Sequence, residues 1–408
     1  MRESVPPAGG TGNGRKDVAP MMSSLERVTA ALELREPDRV PTVDVMEDNA
    51  NICEILGKKP GPLGLVVNNK HASKLFGAAV PLINKLHVID KEMERFSYDG
   101  VHAAVRMGYD CVFGTHIPIW KVHDTKAVTD IYGRHYSLLV DEKGNLGSPM
   151  YRGGLLKGPD DWKAWDKTDI FRLPERSNRV FSRIRKDFGK EIYIMGGLLF
   201  GLFENAWQPF GFDRFSLMIR REREFLRRYI RFYEDLFCMM IEAWADAGLP
   251  GAIYSDDLAY RTGPMLNPRT MDELFGDSFR RITETAHQLG LKIAIHTDGN
   301  VYALLEWLAD CGFDGVHALE PTAGMELSKV KEMVGDRLCL FGNVDVTHTL
   351  VDGTKEEVFA EVRRCIADAG KGGGYILGAT NFHPDISVER LRWMIEAVEE
   401  YGHYPLKV

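Results

Sequence analysis

The chain has 408 residues, enough for one large domain or two ordinary ones, and 44% of them are hydrophobic, enough for a substantial core. A net charge of −8 argues against a nucleic-acid footprint, and no stretch approaches the roughly 20 apolar residues of a membrane span. The six cysteines form no CxxC pair and lie mostly in apolar patterns, which predicts buried free thiols and a reducing, cytoplasmic setting.

Residues 1–22 are rich in Gly, Pro and charge and lack an apolar core, so they read as a disordered tail rather than a signal peptide. From residue 23 to the end the pattern predicts one domain. Eight short strands are expected at Val40–Val45, Tyr109–Phe113, Ile192–Gly196, Gly251–Ser255, Lys292–His296, Gly315–Leu319, Leu338–Gly342 and Gly374–Gly378. They are continuous apolar runs rather than alternating ones, which suits parallel strands buried on both faces. Helical patterns lie between them at Ser24–Leu34, Asp213–Ala247 (long enough for two helices), Asn267–Leu289, Val301–Ala309, Lys329–Val334, Lys355–Ala369 and Ser387–Tyr401. Eight βα units in one chain predict a (β/α)₈ TIM barrel. An insertion after the second strand, around 117–190, contains a hairpin-like pair, Tyr132–Asp141 and Glu142–Tyr151, suited to a lid or an oligomer contact.

In such a barrel the residues just past the strands converge at one mouth. Here they are Glu47 and Asp48, Thr115 and His116, Gly197 with nearby Glu204, Asp256 and Asp257, His296 and Asp298, Glu320, Asn343 and Asp345, and Asn381 and His383. So acidic a mouth, with three histidines, suits a divalent cation or acid–base work. His296-x-Asp298 is either a hydrogen-bonded pair at a strand end or, with Glu320, three ligands leaving a fourth position open. Oxygen ligands widen the choice from zinc to other divalent metals. Adjacent Asp256 and Asp257 repel, so one takes a proton, binds a cation, caps a helix or pairs with Arg261. Asn343 either holds its loop or touches substrate. Phe200, Phe203, Trp207, Phe210 and Phe212 crowd the loop after the third strand with Glu204, as packing or as the wall of a flat apolar ligand.

Several of these stretches together resemble the uroporphyrinogen decarboxylase superfamily. They are Asp256-Asp257-Leu258 with Gly263-Pro264 and Asn267-Pro268, His296-x-Asp298-Gly299-Asn300, Leu319-Glu320-Pro321, Gly342-Asn343-Val344-Asp345 and Gly373-Gly374-Tyr375-Ile376-Leu377-Gly378. The resemblance runs over roughly residues 24–402 and implies the uroporphyrinogen decarboxylase type of (β/α)₈ barrel, often dimeric. True decarboxylases of this kind carry an arginine-rich first loop for the substrate's carboxylates. This chain has Asp44-Val45-Met46-Glu47-Asp48-Asn49 there, and Phe113-Gly114-Thr115-His116 where an aspartate is expected. The other branch comprises zinc-dependent methyltransferases that work with a corrinoid (cobalamin) protein through a His-x-Cys, Glu and Cys metal set. His296 and Glu320 match it. Asp298 replaces the first Cys, and Ala379 or Thr380 stands near the second, with His383 or water as a substitute ligand.

The expectation is therefore a methyltransferase that moves a methyl group from an O-methyl donor, such as an aromatic methyl ether, to a corrinoid protein, in the manner of an O-demethylase. His296, Asp298, Glu320 and His383 would bind zinc or another divalent metal. Asp257 or His116 would supply a proton, and Glu47, Glu204, Trp207, Phe210 and Asn343 would line the substrate site. A decarboxylase-like lyase on another acid and a non-catalytic barrel that binds a tetrapyrrole or corrinoid are the alternatives.

Overall fold

The computed structural model describes residues 21–59, 80–82, 84–85, 88–116, 120–123, 127–140, 146–198 and 200–408. Eight parallel strands form a closed barrel: β1 (Thr42–Asp44), β2 (Cys111–His116), β3 (Tyr193–Leu198), β4 (Gly251–Ser255), β5 (Lys292–Thr297), β6 (Gly315–Ala318), β7 (Cys339–Val344) and β8 (Tyr375–Ala379). Neighbours in sequence are neighbours in space, and β1 closes the ring by pairing with β2 (Val43 opposite Cys111) and with β8 (Thr42 opposite Leu377). All eight expected strands are present. The period of two divides their side chains between two buried layers. Val43, Cys111, Phe113, Tyr193, Met195, Ile253, Ala294, Cys339, Phe341 and Ile376 pack together in the barrel interior. Val112, Ile194, Ala252, Tyr254, Ile293, Ile295, Leu340 and Leu377 face the helices. Cys111 and Cys339 are thus core thiols, and all six cysteines are free.

The expected 213–247 helix is two, Phe212–Arg221 and Arg223–Asp246, broken at Glu222. The expected 267–289 helix begins at an Asn267 cap and carries a wider π turn over Asp272–Gly276 before Asp277–Gln288. Close packing of helix on strand constrains β3: a Cβ at Gly196 would lie 2.5 Å from the Trp244 ring.

After β2 the chain leaves the barrel as a four-stranded antiparallel sheet, Trp120–Val122, Ala127–Asp130, Arg134–Val140 and Leu146–Gly154. Its last two strands are the expected hairpin, whose turn at 141–145 lies outside the described residues. The sheet is fastened to the loop after β3: the Tyr151 hydroxyl donates to the Gln208 carbonyl (2.6 Å) and the Leu156 amide to the Pro209 carbonyl (2.9 Å). The insertion therefore sits against one side of the mouth.

At the opposite end, β2 is entered through Asp110. Its buried carboxylate accepts from Arg27 (2.6 Å), Arg39 (3.0 Å), the Thr42 amide (3.0 Å) and Ser24 (3.1 Å). Removing one partner of such a network strands the other charges in low dielectric. Asp110→Ala is expected to lower the unfolding free energy by about 3–5 kcal/mol in a urea titration, while leaving ligand binding at the far mouth unchanged in the folded fraction.

Candidate metal centre at the barrel mouth

The two adjacent aspartates after β4 have separate tasks. Asp256 is fully buried, and its two oxygens accept the amides of Phe203 and Glu204, each at 2.9 Å, with the Tyr254 hydroxyl at 3.2 Å. It docks the first turn of the short helix Leu202–Trp207, where unpaired amides and the helix dipole favour a carboxylate. Gly201 must be glycine for this approach, since a Cβ there would sit 2.5 Å from the Asp256 carboxyl. Burial pushes Asp256 up to about 7 against the pull of these hydrogen bonds. Asp257 turns toward β5, where its Oδ1 accepts the Asp298 amide (3.0 Å).

Asp257, His296 and Asp298 each offer a ligand atom within 4.8 Å of the others. His296 Nε2 faces Asp298 Oδ1 at 3.7 Å, too far for a hydrogen bond. Asp298 Oδ2 accepts from the Asn381 amide (3.0 Å), while Oδ1 is buried with no hydrogen-bond partner among the described residues. Burial, then Asp257 and Glu320, push the Asp298 carboxyl well above the carboxylate range.

A second imidazole fixes the first. His296 and His317 stand opposite each other on β5 and β6, and their Nδ1 atoms are 2.7 Å apart. His317 is buried, which pushes it down to about 3 and keeps it neutral with a single N–H. Its Nε2 donates to the Ala379 carbonyl at the end of β8 (3.0 Å), so its Nδ1 is an acceptor. The proton between the rings then belongs to His296 Nδ1, and His296 Nε2 presents a lone pair toward Asp298. Burial likewise holds His296 below its ordinary value. A lone pair, an orphaned carboxylate oxygen and a second carboxylate are the donor set of a divalent cation, with the backing hydrogen bond that ligating histidines usually have.

Other expected residues divide. Glu320 stands beside this group, but its Oε2 accepts the Gly299 amide (2.7 Å) and it is not one of the three converging ligands. Gly299 is suited to that turn by its φ of +86°. His383 is not brought to the centre. It is half-exposed, its Nδ1 accepts the Asp385 amide (3.2 Å), and the β8 loop instead sends Asn381 to Asp298. Glu204 is buried, takes a hydrogen bond from Gln208 (2.6 Å), and is pushed well up by burial, then by Asp257 and Asp256. Trp207 is half-buried, with its ring edge-on to Tyr151 (5.5 Å). Phe210 is packing, not wall: it is buried against Tyr229 (5.1 Å) and Phe225 (6.1 Å) on the outer helix. Asn343 is a latch rather than a substrate contact. Its amide donates to the Leu319 carbonyl (2.9 Å) and its carbonyl accepts from Arg364 (3.2 Å). Glu47 is half-buried in the β1 loop, and the His116 side chain lies outside the described residues. Non-glycine residues with positive φ follow three of the strands, Met46 (44°), Phe200 (69°) and Leu319 (60°), so local strain gathers at this mouth. His317 has a sequence signal that is easily missed, because it lies inside a strand rather than after one.

The division of labour gives two expected outcomes. Asp256→Asn turns one acceptor into a donor facing amides and should cost about 1–3 kcal/mol of stability, whereas Asp257→Asn should leave the melting temperature nearly unchanged and weaken divalent-cation affinity in a chelator competition. His317→Ala releases the His296 tautomer and should weaken that affinity by about 10–100-fold. Because Asp298 must shed a proton to ligate, and its pKa is raised, affinity should also increase with pH above the ordinary carboxylate range.

The comparisons agree with this architecture. A Methanosarcina mazei methyltransferase shares the fold, with a TM-score of 0.68 at 18% identity over 93% of this chain and 99% of that one. The methylcobamide:CoM methyltransferase MtaA of Methanosarcina barkeri is 26% identical over 164 residues, 40% of this chain and 44% of its own. The uroporphyrinogen decarboxylase of Methylococcus capsulatus is 34% identical over 99 residues, 24% of this chain and 27% of its own. These matches span less than half the length of either curated relative. Residues 144–401, well over half of the chain, match the family model for uroporphyrinogen decarboxylase (URO-D), and the protein belongs to that family.

Proposed function

We propose that the protein is a metal-assisted methyltransferase that takes a methyl group from an O-methyl donor and delivers it to a corrinoid carried by a partner protein. The observation that carries the reading is the Asp257–His296–Asp298 group with its His317 backing and its unmet Asp298 oxygen. The same position of the barrel is the metal site that the methyltransferase resemblance implies. Further support comes from the β1 loop, where Asp48 caps the helix Asn49–Leu56 and no arginine of 44–49 waits for a polycarboxylate.

Asp257, His296 and Asp298 would hold the cation, which when bound supplies Lewis acidity at the donor oxygen. No thiolate belongs to the three converging ligands, so the set is harder than a cysteine site and suits an oxygen leaving group better than a thiolate acceptor. In the transfer the C–O bond breaks with its electron pair left on oxygen, and the acceptor's electron pair forms the new bond to the methyl carbon. The leaving oxygen then needs one proton. Burial and two neighbouring aspartates raise Glu204 and favour its protonated form, which makes it the group suited to supply that proton. The insertion sheet and the loop after β3 exclude water from that side of the mouth and offer aromatic walls, Tyr136, Tyr151, Phe200 and Trp207.

Incubation with Co(I) cobalamin, methoxyarenes and a divalent metal (zinc, manganese or cobalt in turn) is expected to form methylcobalamin, detected by its absorbance. Asp298→Ala should reduce that rate by on the order of a thousandfold. No methyl transfer under any of the metals, or transfer equally fast after metal removal, overturns the reading. Glu204→Gln, which removes the proton while keeping the shape, should lower the rate without lowering cation affinity.

A further inference from the structure

Strand alternation places Trp120, Tyr136 and Tyr151 on the face of the insertion sheet that meets the loop after β3. Their rings form a connected run: Trp120 to Tyr136 (4.8 Å), Tyr136 to Tyr151 (6.1 Å) and to Phe200 (6.4 Å), and Tyr151 to Trp207 (5.5 Å). Arg134, two residues before Tyr136, shares that face. It is 0% exposed, and its guanidinium lies 3.8 Å over the Phe200 ring. Nε pairs with Asp130 (2.5 Å), and Nη1 donates to Gln208 (2.9 Å), whose own amide donates to Glu204 (2.6 Å). Nη2 is buried with no hydrogen-bond partner among the described residues, and so is Nε1 of Trp207.

Two unmet N–H donors thus belong to this run of five aromatic rings and the guanidinium stacked on it, both adjoining Gln208 and, through it, the Glu204 beside the metal centre. Buried donors are costly to leave unmet, and where a protein does so a ligand or an ordered water completes them. Charge selects between ligands. Asp130 already pairs with Arg134, so an anion here would have no counter-ion. An uncharged acceptor oxygen satisfies the donors without that penalty.

We propose that this face is the donor-recognition subsite, in which Arg134 Nη2 and Trp207 Nε1 hold an oxygen of an uncharged, oxygen-substituted aromatic ring while the methoxy group to be cleaved is directed to the metal centre. The proposal deepens the methyltransferase reading and rests on it for the fate of the methyl group, but its test is binding alone. Calorimetric titration of the full chain compares 1,2-dimethoxybenzene, methoxybenzene and 4-methoxybenzoate. The second ether oxygen is expected to tighten binding about tenfold over methoxybenzene, with the carboxylate weakest. Trp207→Phe keeps the wall and removes one donor. It should shrink the preference of 1,2-dimethoxybenzene over methoxybenzene to about threefold or less. Arg134→Lys, checked for folding by circular dichroism, should do the same. Equal affinity for the three, tightest binding of the carboxylate, a preference unmoved by Trp207→Phe, or no binding at all overturns the subsite. Intact preference without methyl transfer would sink the activity and leave the subsite standing.

Discussion

Five carboxyl groups, Glu204, Asp256, Asp257, Asp298 and Glu320, crowd one low-dielectric mouth, and they cannot all be ionised without compensation. Much of the local structure is an answer to that constraint. Asp256 is met by two helix amides and a tyrosine hydroxyl. Glu320 is met by the Gly299 amide, and Asp257 by the amide of Asp298. Glu204 and Asp298 are pushed toward the protonated form. What the protein backbone leaves unmet is one oxygen of Asp298 beside one imidazole lone pair. A cation at that point resolves the repulsion that protons otherwise resolve, so cation and proton compete for the same electrostatic position.

The His296–His317 contact makes this more than a cluster of acids. Parallel pairing of β5 with β6 sets the two rings side by side, and the β8 carbonyl of Ala379 orients the second. Three strands therefore decide which nitrogen of His296 is free. A closed barrel is well suited to such control, because each strand end is fixed by two neighbours and none can shift alone.

The sequence displayed the strands and the mouth with little loss, for a physical reason: buried parallel strands demand continuous apolar runs, and barrel closure then dictates which residues follow them. His296, Asp298 and Asp257 were all legible as mouth residues in that way. Side-chain direction within a loop was not. His383 and Asn381 are two residues apart after β8, and only the turn decides that Asn381 reaches Asp298. Phe210 and Trp207 lie on one aromatic loop, yet the helix Leu202–Trp207 ends between them, so one is packed on Tyr229 and the other meets Tyr151. Asn343 follows the same rule of position as its neighbours, but it ends inside β7 and spends its amide on the preceding loop. His317 is not legible in that way, because it lies within a strand, where an imidazole reads as core until its partner is known.

The resemblance to the methyltransferase branch implies a thiolate where this chain has Asp298, and the two donors would act differently on a bound metal. A thiolate donates charge to a bound metal and leaves it a weak acid, able to hold a second thiolate as a nucleophile. A carboxylate with one oxygen already accepting from Asn381 and the other without a partner among the described residues would donate less and would leave a bound metal more demanding of an oxygen ligand. Burial and the charge of Asp257 raise both Asp298 and Glu204, so each is pushed toward its protonated form. Under the proposed function, a cation held at Asp298 would accept the ether oxygen's electrons, and Glu204 beside it would be the acid to protonate that oxygen.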